Sequence, residues 1–338
     1  MIEISVVIPT CNRCPTLLRC LQALGGQPLS RSEYEVIVVD DGSTDDTQSN
    51  LQPLILSGIV RYYYQPNSGP ARARNVGIRA AQGRIIVFLG DDILAGPHLL
   101  EEHLSLHRQF EEMPIAVLGY TDWSKSIDVT PLMTYEGKGS QFGYHHIEAG
   151  LVDPNNLPYG FFYTSNVSVR RQFLIDHELW FDEDFAYAMG EDGELAYRMQ
   201  KKGLRIVYNL RALAYHEHPT TFESICHRSF LKGQVAVLQV KKHPEWGNLD
   251  FLNLGWKGKV RRQMNRWVAW WLSPFLRFVD QRRWSIHRLG LRKWYDFVFQ
   301  VHQLEGLICG MQIYNVELKH MPHTLIAQGE SQEAQGNP

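Results

Sequence analysis

Through the first two thirds of the chain, short β-branched runs alternate with stretches whose apolar residues recur at helical spacing. Ile4-Ser5-Val6-Val7-Ile8-Pro9 reads as a strand stopped by proline. Leu17, Leu18, Leu21 and Leu24 then mark one face of a helix from about Pro15 to Leu24. Glu35 to Val39, Val60 to Tyr64 and Ile85 to Leu89 are further buried strands, and a helix is expected from Ala71 to Ala81, ended by Gly83. After the connection Ile93-Leu94-Ala95-Gly96, Pro97 opens a helical pattern carrying Leu99, Leu100, His103, Leu104 and His107. Such alternation predicts βαβ units and a mostly parallel sheet between helical layers. The pattern weakens between Pro114 and Gly160, apart from a strand-like Ile115 to Tyr120. Alternation resumes over Tyr163 to Val169 and in two short strands, Arg205 to Tyr208 and Ala212 to Tyr215. Between them, Gly190-Glu191-Asp192-Gly193-Glu194 opens a helix closed by Gly203, acidic at its start and basic at its end.

From about Thr220 strand signals vanish. The expected organisation is a catalytic α/β domain over 1–219, a helical region over 220–327 and a disordered polar tail over 328–338. With 338 residues and a 44% hydrophobic fraction, the chain can bury a large core. A formal net charge of -2 points to no particular partner. Five irregularly spaced cysteines make a poor disulfide framework. The N-terminus has no basic segment ahead of its first strand, and no apolar run reaches the roughly 18 residues a spanning helix needs. The protein is therefore expected in the cytoplasm.

Candidate chemistry gathers where strands end. The run Ile85 to Leu89 stops at Gly90-Asp91-Asp92. Ligands of open α/β sheets lie beyond the carboxyl ends of strands, and paired carboxylates there suit a hard divalent cation carrying phosphate oxygens. Asp91 or Asp92 could equally cap a turn. Asp40-Asp41-Gly42 ends another strand in the same way, and is a weak signal alone. Cys11 and Cys14 form a Cys-x-x-Cys after a strand, which admits a redox reading.

Taken in order, Val6-Val7-Ile8-Pro9-Thr10-Cys11-Asn12-Arg13, Asp40-Asp41-Gly42-Ser43, Gly69-Pro70-Ala71-Arg72-Ala73-Arg74-Asn75, Leu89-Gly90-Asp91-Asp92, Ser165-Asn166-Val167 and Gly190-Glu191-Asp192 resemble the family 2 glycosyltransferases of the GT-A fold. The resemblance covers about residues 2 to 218. It implies inverting transfer of a sugar from a nucleoside diphosphate donor to a saccharide or lipid-linked acceptor, with Mg²⁺ or Mn²⁺. Pro9, Thr10 and Asp41 would line the nucleotide pocket, with Arg13 and Asn166 in the donor-binding set. Arg74, with Arg72 and Asn75, would face the nucleotide or its phosphates. Asp91 would lie near the ribose and Asp92 on the metal, with His216 as a further ligand for which His218 competes. Asp192, beside Glu191, would be the general base. Gly90 departs from the commoner pattern, where another aspartate stands. A Gly-x-Gly loop after the first strand would have favoured a sugar nucleotidyltransferase; Pro9-Thr10-Cys11-Asn12-Arg13 does not supply one. A binding module with a lapsed site is the rival outside enzymes, and the four carboxylates Asp41, Asp91, Asp92 and Asp192 argue against it.

The stretch 255–294 carries eleven Lys and Arg against one acid, Asp280. Trp267, Trp270, Trp271, Phe275 and Phe278 lie among them, interrupted by Pro274. An interfacial membrane helix and an aromatic helical core both fit this composition. Nucleic acid does not, since the chain shows no binding motif and no overall positive charge.

Overall fold

A computed structural model describes residues 2–133, 142–246, 256–282 and 291–316; of 256–260 the backbone alone is described. The chain divides into two compact units, Met1–Pro219 and Thr220–Pro338. The proposed tail, 328–338, and the basic residues Arg283 and Arg288 lie outside the described residues.

The first unit is built on eight strands: β1 (Ile4–Thr10), β2 (Tyr34–Asp41), β3 (Arg61–Gln65), β4 (Ile85–Leu89), β5 (Ile93–Ala95), β6 (Ile115–Trp123), β7 (Asn166–Arg170) and β8 (Arg205–His216). They form one sheet in the order β3-β2-β1-β4-β7-β6-β8-β5. The strands β1 to β4 pair in parallel, as do β6 and β8, while β7 runs antiparallel to both β4 and β6 and β5 runs antiparallel to β8. All strands but β5 and β7 therefore point the same way, and their carboxyl ends share one edge. Side chains alternate along each strand. Val7, Ile37, Ile86 and Phe88 pack with Ala73 and Ile78 of α3 (Pro70–Ala80) and with Leu195 and Met199 on one face. Val6, Ile8, Val38 and Val87 pack on the other face with Leu17 and Leu21 of α1 (Cys14–Gly25), Leu51 of α2 (Thr47–Leu56), and Leu100 and Leu104 of α4 (Leu99–Gln109). The result is a three-layer sandwich.

Three features differ from the expectation. The two short strands expected near 205 and 212 are one strand, β8, whose pairing with β6 shifts register after Gly119. Ile93-Leu94-Ala95 is a strand, short enough that its pattern could not be told from a loop. The helix α2 was not expected, because Pro53 interrupts its sequence and its apolar face is weak.

The second unit contains helices Phe222–Lys242, Trp256–Gln281 and Leu291–Ile313. Phe222–Lys242 and Leu291–Ile313 approach closely at glycines. A Cβ on Gly306 would lie 1.8 Å from the Phe230 carbonyl oxygen, and one on Gly233 would lie 2.0 Å from that of Gln303. Thr221 begins the first of them with a capping box made with Ser224. Of the two readings left open for the Trp and Arg stretch, an aromatic core does not take in Trp267, Trp270 and Trp271, which are 64%, 72% and 74% exposed.

Candidate active site

The strand edge delivers Thr10, Asp41, Trp123 and His216 together with the Gly90-Asp91-Asp92 turn. Asp91 is buried and accepts a hydrogen bond from Thr10 Oγ1 at 2.8 Å. Arg13, at the start of α1, reaches back over both carboxylates. Its Nη1 is 3.0 Å from Asp91 Oδ1 and its Nη2 is 2.7 Å from Asp92 Oδ2. The same Nη2 lies 2.9 Å from His218 Nδ1. His216 reaches this centre because β8 lies beside β5, with Ile93 in register with His216. Its Nε2 is 3.2 Å from Asp92 Oδ2, and its ring stacks on Trp123 at a centroid distance of 5.4 Å.

The two carboxylates respond oppositely to these surroundings. Burial pushes Asp91 up to about 6 despite Arg13. Burial would raise Asp92 as well, but the His216 hydrogen bond and charge, with Arg13, hold it well below the usual carboxylate range. Asp92 and His216, already within hydrogen-bond distance of each other, are the two side chains here that would hold a cation. A carboxylate oxygen with an imidazole nitrogen suits Mn²⁺, and the carboxylates alone suit Mg²⁺. Among the described residues no three such side chains converge to hold an ion unaided. A cation held by these side chains would need further ligands from outside them. Gly90 leaves this space open: a Cβ there would come within 2.9 Å of Asp92 Oδ1.

A second acidic centre forms where Gly190, at φ 84°, turns the chain into the helix Glu191–Lys201. Glu191 is buried and accepts from Arg74 Nη1 at 2.7 Å, while the Arg74 guanidinium also lies over Phe181. The neighbouring Asp192 is half-buried, and its Oδ1 accepts from Gly193 N at 2.7 Å. Burial raises both carboxyls, with Arg74 opposing. Tyr163 feels the charge of Asp192 and packs on Phe142, whose ring lies 6.4 Å from that of His216. Trp123, Phe142 and Tyr163 were not singled out in the sequence, because isolated aromatics in an irregular stretch carry no periodic signal.

The other expected site residues are placed as follows. Pro9 is partly buried in β1, in register with Val39. The carboxylate of Asp41 accepts from Gln65 Nε2 and the backbone N–H groups of Ser68 and Gly69, fixing the loop before α3. Arg72 is exposed on α3. Asn75 bonds the backbone of Phe181 in both directions and reaches Glu183. Asn166 is fully buried, donating to the carbonyls of Tyr120 and Ala212 and lying 2.9 Å from His103 Nε2. Cys11 and Cys14 form no disulfide, and burial together with nearby aspartates raises both thiols away from the reactive thiolate.

Residues 5–165 match the family model described as glycosyl transferase family 2. Chondroitin synthase of Escherichia coli is 28% identical over 267 residues, covering 71% of this chain and 38% of that protein. Validoxylamine A glucosyltransferase of Streptomyces hygroscopicus subsp. jinggangensis (strain 5008) is 27% identical over 310 residues, covering 79% of this chain and 68% of the relative. Pre-mycofactocin glycosyltransferase of Mycobacterium tuberculosis is 30% identical over 244 residues, covering 72% of this chain and 48% of the relative. The chain thus spans less than half the length of two of these three relatives. Among solved structures, mannosyltransferase PcManGT from Pyrobaculum calidifontis, in complex with GDP-Man and Mn²⁺, gives a TM-score of 0.61 at 17% identity, covering 93% of this chain and 88% of that one. S. aureus TarS 1-349 gives 0.52 at 17% identity, covering 93% and 91%. These likenesses establish the fold, and it is the GT-A fold expected from the sequence. With its motifs in order along the carboxyl edge of that sheet, the chain belongs to glycosyl transferase family 2.

Proposed function

We propose that the chain transfers a sugar, with inversion, from a nucleoside diphosphate donor to a hydroxyl of a saccharide or lipid-linked acceptor, assisted by Mg²⁺ or Mn²⁺. The observation that carries this reading is the pair of acidic centres, Asp91-Asp92 with Arg13 and His216, and Glu191-Asp192 with Arg74. Thr10, Asp41 and Asp91 bound the nucleotide side, and Asp92 with His216 would hold the cation. Bound there, the cation would neutralise charge developing on the departing diphosphate. Inversion in one displacement needs a base on the far side of the anomeric carbon. Asp192 suits this task better than Glu191, whose carboxylate is already paired with Arg74 in a buried contact. Burial raises the Asp192 carboxyl, which makes its carboxylate a stronger base. Glu191 and Arg74 then act as positioning residues that hold the start of the helix. The same reading keeps the enzyme in the cytoplasm, peripheral on the inner face of a membrane when its acceptor is lipid-linked.

The test is transfer from a panel of nucleotide sugars by the purified protein, with the product's anomeric configuration read by NMR. Asp192→Asn is expected to lower turnover by roughly 10²–10⁴-fold, the usual contribution of a general base, with nucleotide affinity nearly unchanged. Turnover close to wild type in that variant, or a product of retained configuration, overturns the assignment.

A further inference from the structure

The helix Trp256–Gln281 carries apolar side chains on two faces. Ala269, Leu272, Leu276 and Val279 are buried within the second unit. Met264, Trp267, Val268, Trp271, Phe275 and Phe278 recur at intervals of three and four residues, which places them in one stripe along the helix. All six are between 43% and 74% exposed, with Trp270 at 72% on the edge of the stripe. The three indoles alone expose on the order of 400 Å², at the level where an apolar patch marks an interaction site. From the first to the last residue the stripe runs about 21 Å along the axis.

We propose that this face docks the protein on the surface of an anionic phospholipid bilayer, with the helix lying in the plane of the headgroups. Indoles prefer that boundary, where an apolar body and a polar N–H are both accommodated. Arg261 stands before the stripe and Arg282 after it, both exposed, with the Arg282 guanidinium 5.3 Å from the Phe278 ring. Arg266 and Arg277 are already paired, with Glu305 and Glu223. Asp280 is the sole acid of the helix and is half-buried. The exposed face thus combines insertable aromatics with cations that complement anionic headgroups. A second copy of the chain fits less well, because a two-fold contact through this face would bring the same arginines together. No described helix is long and apolar enough to cross a membrane. The inference deepens the peripheral placement proposed above and stands apart from the transfer chemistry, since nucleotide binding is read separately.

The experiment is co-sedimentation of the full chain with phosphatidylcholine vesicles, with and without phosphatidylglycerol, at low and high salt. The wild-type protein is expected to partition at least about tenfold more strongly to the anionic vesicles, and to lose most of that advantage in high salt. Its tryptophan emission should shift to the blue on vesicle addition and be quenched by brominated lipid, a readout that needs no variant. Trp267→Glu combined with Trp271→Glu should lower partitioning at least about tenfold while leaving the melting temperature and nucleotide binding unchanged, because both side chains are exposed. Absence of wild-type binding to anionic vesicles at low salt overturns the proposal. So does equal binding by the double variant, or a dimer that dissociates in that variant without any vesicle effect. Loss of transfer activity in Asp192→Asn with vesicle binding retained leaves the docking intact, whereas vesicle failure leaves the base assignment untouched.

Discussion

Glu191 and Asp192 are adjacent in sequence yet meet different surroundings, and their variants should separate accordingly. Glu191 is 2% exposed and faces the guanidinium of Arg74, itself 7% exposed. Glu191→Gln leaves that guanidinium buried without its counter-charge, a loss expected to cost about 3 kcal/mol. Urea unfolding should register this destabilisation, while Asp192→Asn should unfold close to wild type and lose turnover instead. Equal stability of Glu191→Gln and wild type would remove the positioning role. Asp92 shows the same dependence on its neighbours. Its carboxylate is held between Arg13 and His216, residues 79 and 124 positions away in sequence.

At the scale of elements, α4 is tied to β7 by a buried polar chain. Asn166 Oδ1 lies 2.9 Å from His103 Nε2, His103 Nδ1 lies 2.8 Å from Ser168 Oγ, and that oxygen lies 2.9 Å from His107 Nε2. Every contact is satisfied when both imidazoles are neutral: each Nε2–H donates, and the serine hydroxyl donates to His103 Nδ1. Burial lowers His103 to about 4 and holds His107 well below its ordinary value. In the unfolded chain both take up protons near pH 6.5, so the unfolded state binds more protons than the folded state as pH falls. The stabilisation is complete above about pH 6.5 and is lost as pH falls through the window from 6.5 to about 4. His103 alone should contribute roughly 2 kcal/mol of loss between pH 7 and 5. Urea unfolding of wild type and His103→Asn at the two pH values checks this: the drop should shrink in the variant, and an undiminished drop would move its origin elsewhere.

For the whole molecule, the strand edge gathers Thr10 of β1, Arg13 before α1, Asp91 and Asp92 between β4 and β5, and His216 of β8 into one centre, so occupancy of that centre should stabilise the unit that builds it. A nucleoside diphosphate with Mn²⁺ at a hundred times its Kd should add about 2.7 kcal/mol to the native state. A thermal melt should show a larger shift with metal and nucleotide together than the sum of either alone. In Asp92→Asn the metal-dependent increment should vanish while any nucleotide-only shift remains. An unchanged increment would place the cation elsewhere.

The central strands of the sandwich and the order of its motifs were legible in the sequence, because burial on both faces makes β1, β2 and β4 continuous apolar runs and because Gly and Asp punctuate their ends. Asp91 and Asp92 could be singled out for the same local reason, whereas Glu191, Asp192 and His216 were named through the family resemblance. The sequence could not reveal that β7 inserts antiparallel between β4 and β6, since strand order is set by packing between distant segments. Nor could it reveal that Arg13 bridges both aspartates, that Arg74 pairs with Glu191, or that Asn166 joins the His103 chain. The five aromatics from Trp267 to Phe278 were visible as composition, but which of them face solvent depended on the side the helix turns toward its neighbours. A local pattern fixes periodicity and breaks, because these follow from the backbone and the next few side chains. Partners many residues apart, and the face an element leaves uncovered, follow from how the elements pack, and only the tertiary structure decides that.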